Sequence, residues 1–262
     1  MPDAGFFGIG LSEWLPKLGF GFALVLARVS AALSLLPAFG ESGPPPVVRA
    51  GLAFALSLLL LPVVATGLPA VPPQPLALGA MVMNEVLRGV MLGWLARVAV
   101  LSLGMAGSIL STMTGLSSVL QPDPVLGQVP ALGRLMGLVA PVLIFATGLH
   151  ATLLQALVGS YALWPVGVLG VGFEDGMEAA LRAVAEATGL ALRLSAPFVI
   201  AGITWQAGLA LAARLVPSLQ VFSVAAPGQI IGGLLMVGLL AAGLLSEWSG
   251  AIAGAFATLP GL

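Results

Sequence analysis

Cysteine is absent from all 262 residues. That excludes disulfides, thiolate metal sites and cysteine nucleophiles together. Histidine occurs once, at His150, in an apolar run with no carboxylate within a turn on either side. A lone histidine so placed reads as a packed or interfacial side chain rather than a ligand or base. Charge is scarce too: Asp, Glu, Lys and Arg make up 7% of the chain, against about 25% in a soluble domain. A net charge of −1 leaves no basic face for nucleic acid.

Catalytic patterns are also missing. There is no H-E-x-x-H, no G-x-S-x-G and no P-loop. "EDGMEAALR" (174–182) faintly suggests a metal-holding acidic motif, but no aspartate follows Asp175. Paired-carboxylate chemistry needs two acids brought together, and Asp123 stands alone between prolines. The expectation is a non-enzyme with no cofactor and no metal site. No cleaved signal peptide is expected either, because Asp3, Glu13 and Lys17 precede an apolar run that has no clean processing site.

What the chain has in quantity is apolar sequence: 59% hydrophobic residues and a mean hydropathy of +1.12. That composition places it in the membrane or inside a membrane complex. Apolar runs cover roughly 18–37, 49–66, 76–106, 130–158, 188–213 and 221–245. A crossing helix needs about 20 apolar residues, so 76–106 is too long for one plain crossing and is expected to be tilted, kinked or broken. Breakers separate the runs at 37–49, 67–75, 121–124 and 164–176, where proline removes donors and disfavours helix in its predecessor. One stretch, Glu174 to Arg193, reads as an amphipathic surface helix. Asp175 and Glu178 are spaced as a capping box, and Glu178–Arg182 and Arg182–Glu186 are i,i+4 pairs.

Charges inside the runs are more telling. Arg28, Arg88, Arg97 and Arg134 lie within or beside them. An arginine at a span's centre costs roughly 2.5–3.5 kcal/mol on insertion scales, so lipid is a poor environment for all four. Glu85 and Arg88 are three apart and can pair on one helix face. Glu85, Gly89 and Gly93 share a stripe, and Gly89-x-x-x-Gly93 permits close helix approach. Gly104 and Gly107 extend the small-residue theme.

"GSILSTMTGLSSVLQPDP" (107–124) stands apart. It carries Ser108, Ser111, Thr112, Met113, Thr114, Gly115, Ser117, Ser118 and Gln121, with no charge before Asp123. The plainer reading is a helix end running into a proline-bounded loop.

Three stretches together resemble one family. "RVSAALSLLPAFGESGPPPVVRAGLAFALSLLLLP" (28–62) has its arginine, apolar run, proline-rich turn and second run. "NEVLRGVMLGWLARVAVLSLGMAGSILSTMTGLSS" (84–118), continued by Asp123-Pro124, has its glutamate, stepped glycines and hydroxyl-rich segment. "RLVPSLQVFSVAAPGQIIGGLLMVGLL" (214–240) has its Arg-x-x-Pro, aromatic and proline, here Arg214, Pro217, Phe222 and Pro227, leading into a Gly-Leu-rich hairpin. On these residues the chain is similar to the FliR/SctT family of type III export-gate subunits. It departs from the pattern at Ser218 and Gln220, and around His150, which lacks the family's preceding acid and adjacent glycine.

The resemblance implies an all-α membrane-complex subunit of kinked helical hairpins. Residues 1–160 or so would be FliP-like, with a plug loop at 107–124, and about 161–262 would form the amphipathic helix and a FliQ-like hairpin. It implies one copy per complex, with FliP-like, FliQ-like and FlhB-like partners, in the bacterial inner membrane within the flagellar basal body. Unfolded proteins would pass through the assembly. The plug would involve Ser108, Ser111, Met113, Thr114, Gly115, Ser117, Ser118 and Gln121. The competing reading is an autonomous small-solute transporter using Glu85, the one good buried acid.

Overall fold

The computed structural model describes residues 11–40, 45–116, 130–170, 173–215 and 221–261. Among these the chain is helical throughout, with no strand. Seven α-helices follow in order: α1 (Leu11–Leu35), α2 (Pro46–Val64), α3 (Pro75–Met113), α4 (Ala131–Ala146), α5 (Leu149–Leu163), α6 (Phe173–Leu215) and α7 (Val221–Ala257). A 3₁₀ turn at Ala65–Gly67 closes α2. Five of the helices are long and apolar enough to cross a membrane, and α4 with α5 adds a sixth candidate as a broken span. The protein is an all-α membrane protein.

Proline punctuates where its chemistry allows. The run Pro44-Pro45-Pro46 ends with Pro46 as the first residue of α2, where its missing N–H is one of the donors that have no helical partner anyway. Internal prolines at 16, 62, 141, 197 and 227 each lie inside a helix. Each removes one i→i−4 bond and favours a bend there.

Several expected boundaries are corrected. Residues 76–106 are one uninterrupted helix, and α3 continues to Met113. The opening of the hydroxyl-rich patch is therefore the end of α3, as the plainer reading had it, and not part of the loop that the resemblance implies from residue 107. The reason is visible in its hydroxyls. Ser108 Oγ donates to Gly104 O at 2.9 Å, Thr112 Oγ1 to Ser108 O at 3.1 Å and Thr114 Oγ1 to Leu110 O at 2.8 Å. Each is spent on the preceding turn of its own helix, which removes its demand for water. The run 130–158 is interrupted: α4 stops at Ala146 and α5 starts at Leu149, with Gly148 at φ +78, a conformation open to glycine. The stretch 174–193 and the run 188–213 are one 43-residue helix, α6, which begins two residues before Asp175. Asp175 is therefore inside the first turn and not the N-cap. The two segments join because one buried face, Ala187, Leu190, Ala191, Leu194 and Phe198, continues through both at helical spacing.

By packing, the chain divides into two compact units. The first comprises Met1–Arg97, Gly148–Leu181 and Ala255–Leu262, and the second Val98–Thr147 and Arg182–Gly254. In the first, α1 buries Leu24, Val25, Val29, Ala32 and Leu33, and α3 buries Leu92, Leu95 and Ala96. In the second, Leu110, Leu132 and Phe198 form a core with Met113, Leu116, Met236, Val237 and Leu244 packed around it.

Candidate functional site

The first unit is organised around three charges. Arg28 on α1 and Glu85 and Arg88 on α3 are all fully buried. Arg28 Nε donates to Glu85 Oε2 at 2.6 Å, and Arg88 Nη1 donates to Glu85 Oε1 at 3.1 Å. One carboxylate thus serves two guanidiniums, leaving one excess positive charge. The backbone after α5 supplies the balance. Arg28 Nη2 donates to Trp164 O at 2.8 Å, and Arg88 donates to Pro165 O at 3.1 Å and to Val168 O at 2.6 Å. Gly167 N–H returns a bond to Glu85 Oε1 at 2.9 Å, and Asn84 Nδ2 holds Val168 O at 2.5 Å. Arg28 also donates to Ser160 Oγ at 3.2 Å and lies 4.1 Å from the centroid of the Tyr161 ring. Charge-assisted bonds of this kind are the strong ones, and here they clamp residues 164–168 onto α1 and α3.

The glycines beside the cluster let α1 and α3 meet. A Cβ on Gly89 would strike the Arg28 carbonyl oxygen, and one on Gly93 would sit 2.7 Å from Ala32 O. Only glycine fits at these crossings, so the small-residue spacing and the charge cluster belong to one interface. Of the other arginines, Arg97 is half-buried and Arg134 exposed.

The second unit holds the stem of the hydroxyl-rich segment. Gly107 meets α4: a Cβ there would lie 2.7 Å from Leu132 O and 2.9 Å from Gly133 Cα. Gly104 is less tight, 3.6 Å from Gly133 O by the same construction. Ser111 and Thr114 are buried, while Thr112 is exposed. Trp248, fully buried on α7, donates Nε1–H to Ser102 Oγ at 3.1 Å. Below the stem, α6 and α7 border a cavity of about 240 Å³ lined largely by apolar side chains, among them Phe198, Trp205 and Met236.

The remaining predicted residues are more scattered. Ser117, Ser118, Gln121 and Pro217 lie outside the described residues. Arg214 is exposed in the last turn of α6, Phe222 lies in the first turn of α7, and Pro227 is exposed within α7. Among the described residues no group of three His, Asp or Glu side chains could hold a metal ion. Glu85 is caged by two arginines and a backbone N–H, which leaves it poorly suited to take up a travelling cation.

Residues 20–255 match the family model described as bacterial export proteins, family 1. The chain belongs to this family. It is 32% identical over 228 residues to the flagellar biosynthetic protein FliR of Caulobacter vibrioides, covering 87% of this chain and 90% of that one. It is 29% identical over 221 residues to the Yop proteins translocation protein T of Yersinia pestis, covering 82% and 84%. Escherichia coli FliR is 28% identical over 232 residues, covering 87% and 86%. This is the family that residues 28–62, 84–118 and 214–240 resemble.

Sequence reasoning missed three things within this family member. It did not join Arg28 to Glu85, it overlooked Tyr161 and the carbonyls of 164–168, and it passed over Gln229. The signal for Gln229 was present, since it is the one amide side chain in the 37 residues of α7.

Proposed function

We propose that this chain is a core structural subunit of a type III protein export gate, through which unfolded proteins leave the cell. The family match along residues 20–255, with relatives named for flagellar biosynthesis and for Yop translocation, carries this reading. The flagellar system is favoured by the higher identity to Caulobacter FliR. The chain would sit in the bacterial inner membrane, one copy per assembly, with FliP-like, FliQ-like and FlhB-like subunits around it. Residues to about 160 would play the FliP-like part and the rest the FliQ-like part.

Two observations support a packing role. The most apolar window of α7 has none of its residues buried within this chain, and that of α6 has 11%. Leu234, Leu235 and Leu239 are exposed on α7, and Ile200, Ile203 and Leu211 on α6. Such faces need cover from lipid or from other subunits. The charge cluster supplies rigidity and holds no free acid, which speaks against an autonomous transporter.

The segment from Ser108 to Gln121 is the proposed pore plug. Its uncharged hydroxyls and glycines bind nothing strongly, and Met113 adapts its shape to fill gaps. The test of subunit function uses a tagged chain in cells carrying the whole apparatus. Co-purification with FliP-like and FliQ-like subunits, and loss of flagellar substrate export when the gene is deleted, are expected. Recovery of a dispersed monomer bound to neither, with export intact in the deletion strain, would overturn it.

A further inference from the structure

The stem of the segment ends in an unusual way. Met113 is the last residue of α3, so its carbonyl is one of the four that lack a partner within the helix. Gln229 on α7 supplies one: its Nε2 donates to Met113 O at 3.0 Å. The chain then turns through Gly115, at φ +76, where a Cβ would sit 3.3 Å from Gln229 Cδ. Thr114 is seated directly on Gly233, where any Cβ would overlap it, and Met113 Sδ lies 3.0 Å from the place a Cβ on Gly202 would take. The Thr114 hydroxyl is committed to Leu110 O and Ser111 O, and Gln229 provides a polar link between α7 and this turn. Beside these contacts lies the cavity of about 240 Å³. The turn is packed on one side, by Gly202, Gly233 and the Leu110–Leu132–Phe198 core, and borders the cavity on another. Met113, with its flexible chain, has room to shift.

We propose that Gln229 is the positioning residue of the plug stem. It is a latch that caps the end of α3 and holds the turn Met113–Gly115 docked on α6 and α7, and its release frees the stem. The inference rests on the plug reading for its consequence, but the docking itself can be measured separately.

The absence of cysteine makes that measurement clean. Met113→Cys with Gly202→Cys places two Cβ atoms about 3.2 Å apart, a few tenths of an ångström short of disulfide geometry. In the assembled apparatus, protection of this pair from maleimide after mild oxidation reports the docked stem. Adding Gln229→Leu removes the donor at similar volume. One net hydrogen bond corresponds to roughly a fivefold change in the ratio of docked to undocked stem, so a several-fold loss of cross-linking is expected. Gln229→Asn, whose amide is one methylene shorter, should give an intermediate loss, which guards against misfolding as the cause. Unchanged cross-linking in Gln229→Leu overturns the latch, even if deletion of 110–119 makes the membrane leak, which would uphold the plug alone. Lost cross-linking without any leak in that deletion upholds the latch and removes the plug reading.

Discussion

The two units keep polar side chains in an apolar setting by different means. In the first, Arg28, Glu85 and Arg88 are wholly buried and answer one another with full charges and with the carbonyls of 164–168. In the second, the hydroxyls of Ser108, Thr112 and Thr114 turn back on their own helix, that of Ser111 is buried without a partner among the described residues, and one amide reaches across from α7. A charged network is costly to break, because removing one partner strands the rest. Hydroxyls bonded within a helix move with it and resist little. The difference separates a part held by buried charge from one held by neutral bonds and packing, which is what the proposed latch requires.

The sharpest way to break this comparison is to remove the shared carboxylate. Glu85→Ala strands two buried guanidiniums, and losing one partner of a buried pair costs on the order of 3–5 kcal/mol. The chain should fall below detection in membrane fractions by immunoblot. Near-normal abundance would mean that the cluster is wetter and less central than its burial suggests. A second, smaller effect is expected at the helix crossing. Gly89→Ala puts a methyl against the Arg28 carbonyl, and overpacking of this kind costs about 1–3 kcal/mol. It should lower the thermal midpoint of the purified complex measurably while leaving some assembled.

In the second unit the expected effects shrink. Trp248→Phe removes the bond to Ser102 Oγ, about 1 kcal/mol, and leaves part of the buried indole's space empty, which costs on the order of another 1 kcal/mol. Thr112→Ala deletes an exposed hydroxyl bonded only to its own helix, so stability should change by no more than ~0.5 kcal/mol in the same melting assay. A large loss for Thr112→Ala beside a small one for Gly89→Ala would invert the contrast between the units.

Much of this was legible in the sequence, for physical reasons. Long apolar runs had few alternatives to helix, so most helices were found. Glu85 and Arg88 were readable as a pair because one helix turn fixes their distance. Arg28 was not, because 57 positions separate it from Glu85 and only the packing of α1 on α3 joins them. The stem was legible as a helix end, but how far the helix ran was not: Ser, Thr and Gly favour turns in general, whereas here Ser108, Thr112 and Thr114 each found a carbonyl one turn back. The join within α6 was hidden because charge thins out along it while the buried face does not change. The break at Gly148 was hidden by company: with 35 glycines in the chain, one at a left-handed φ has no distinguishing mark.

The central claim is that a rigid, charge-clamped unit accompanies a lightly held stem that plugs a pore. Its most direct test is the permeability of cells carrying the assembled apparatus with residues 110–119 deleted. Entry of a small solute that intact membranes exclude, at wild-type levels of the complex, is the predicted result. Membranes as tight as wild type, with the complex present at the same level, would contradict the account and leave 107–124 an ordinary connector.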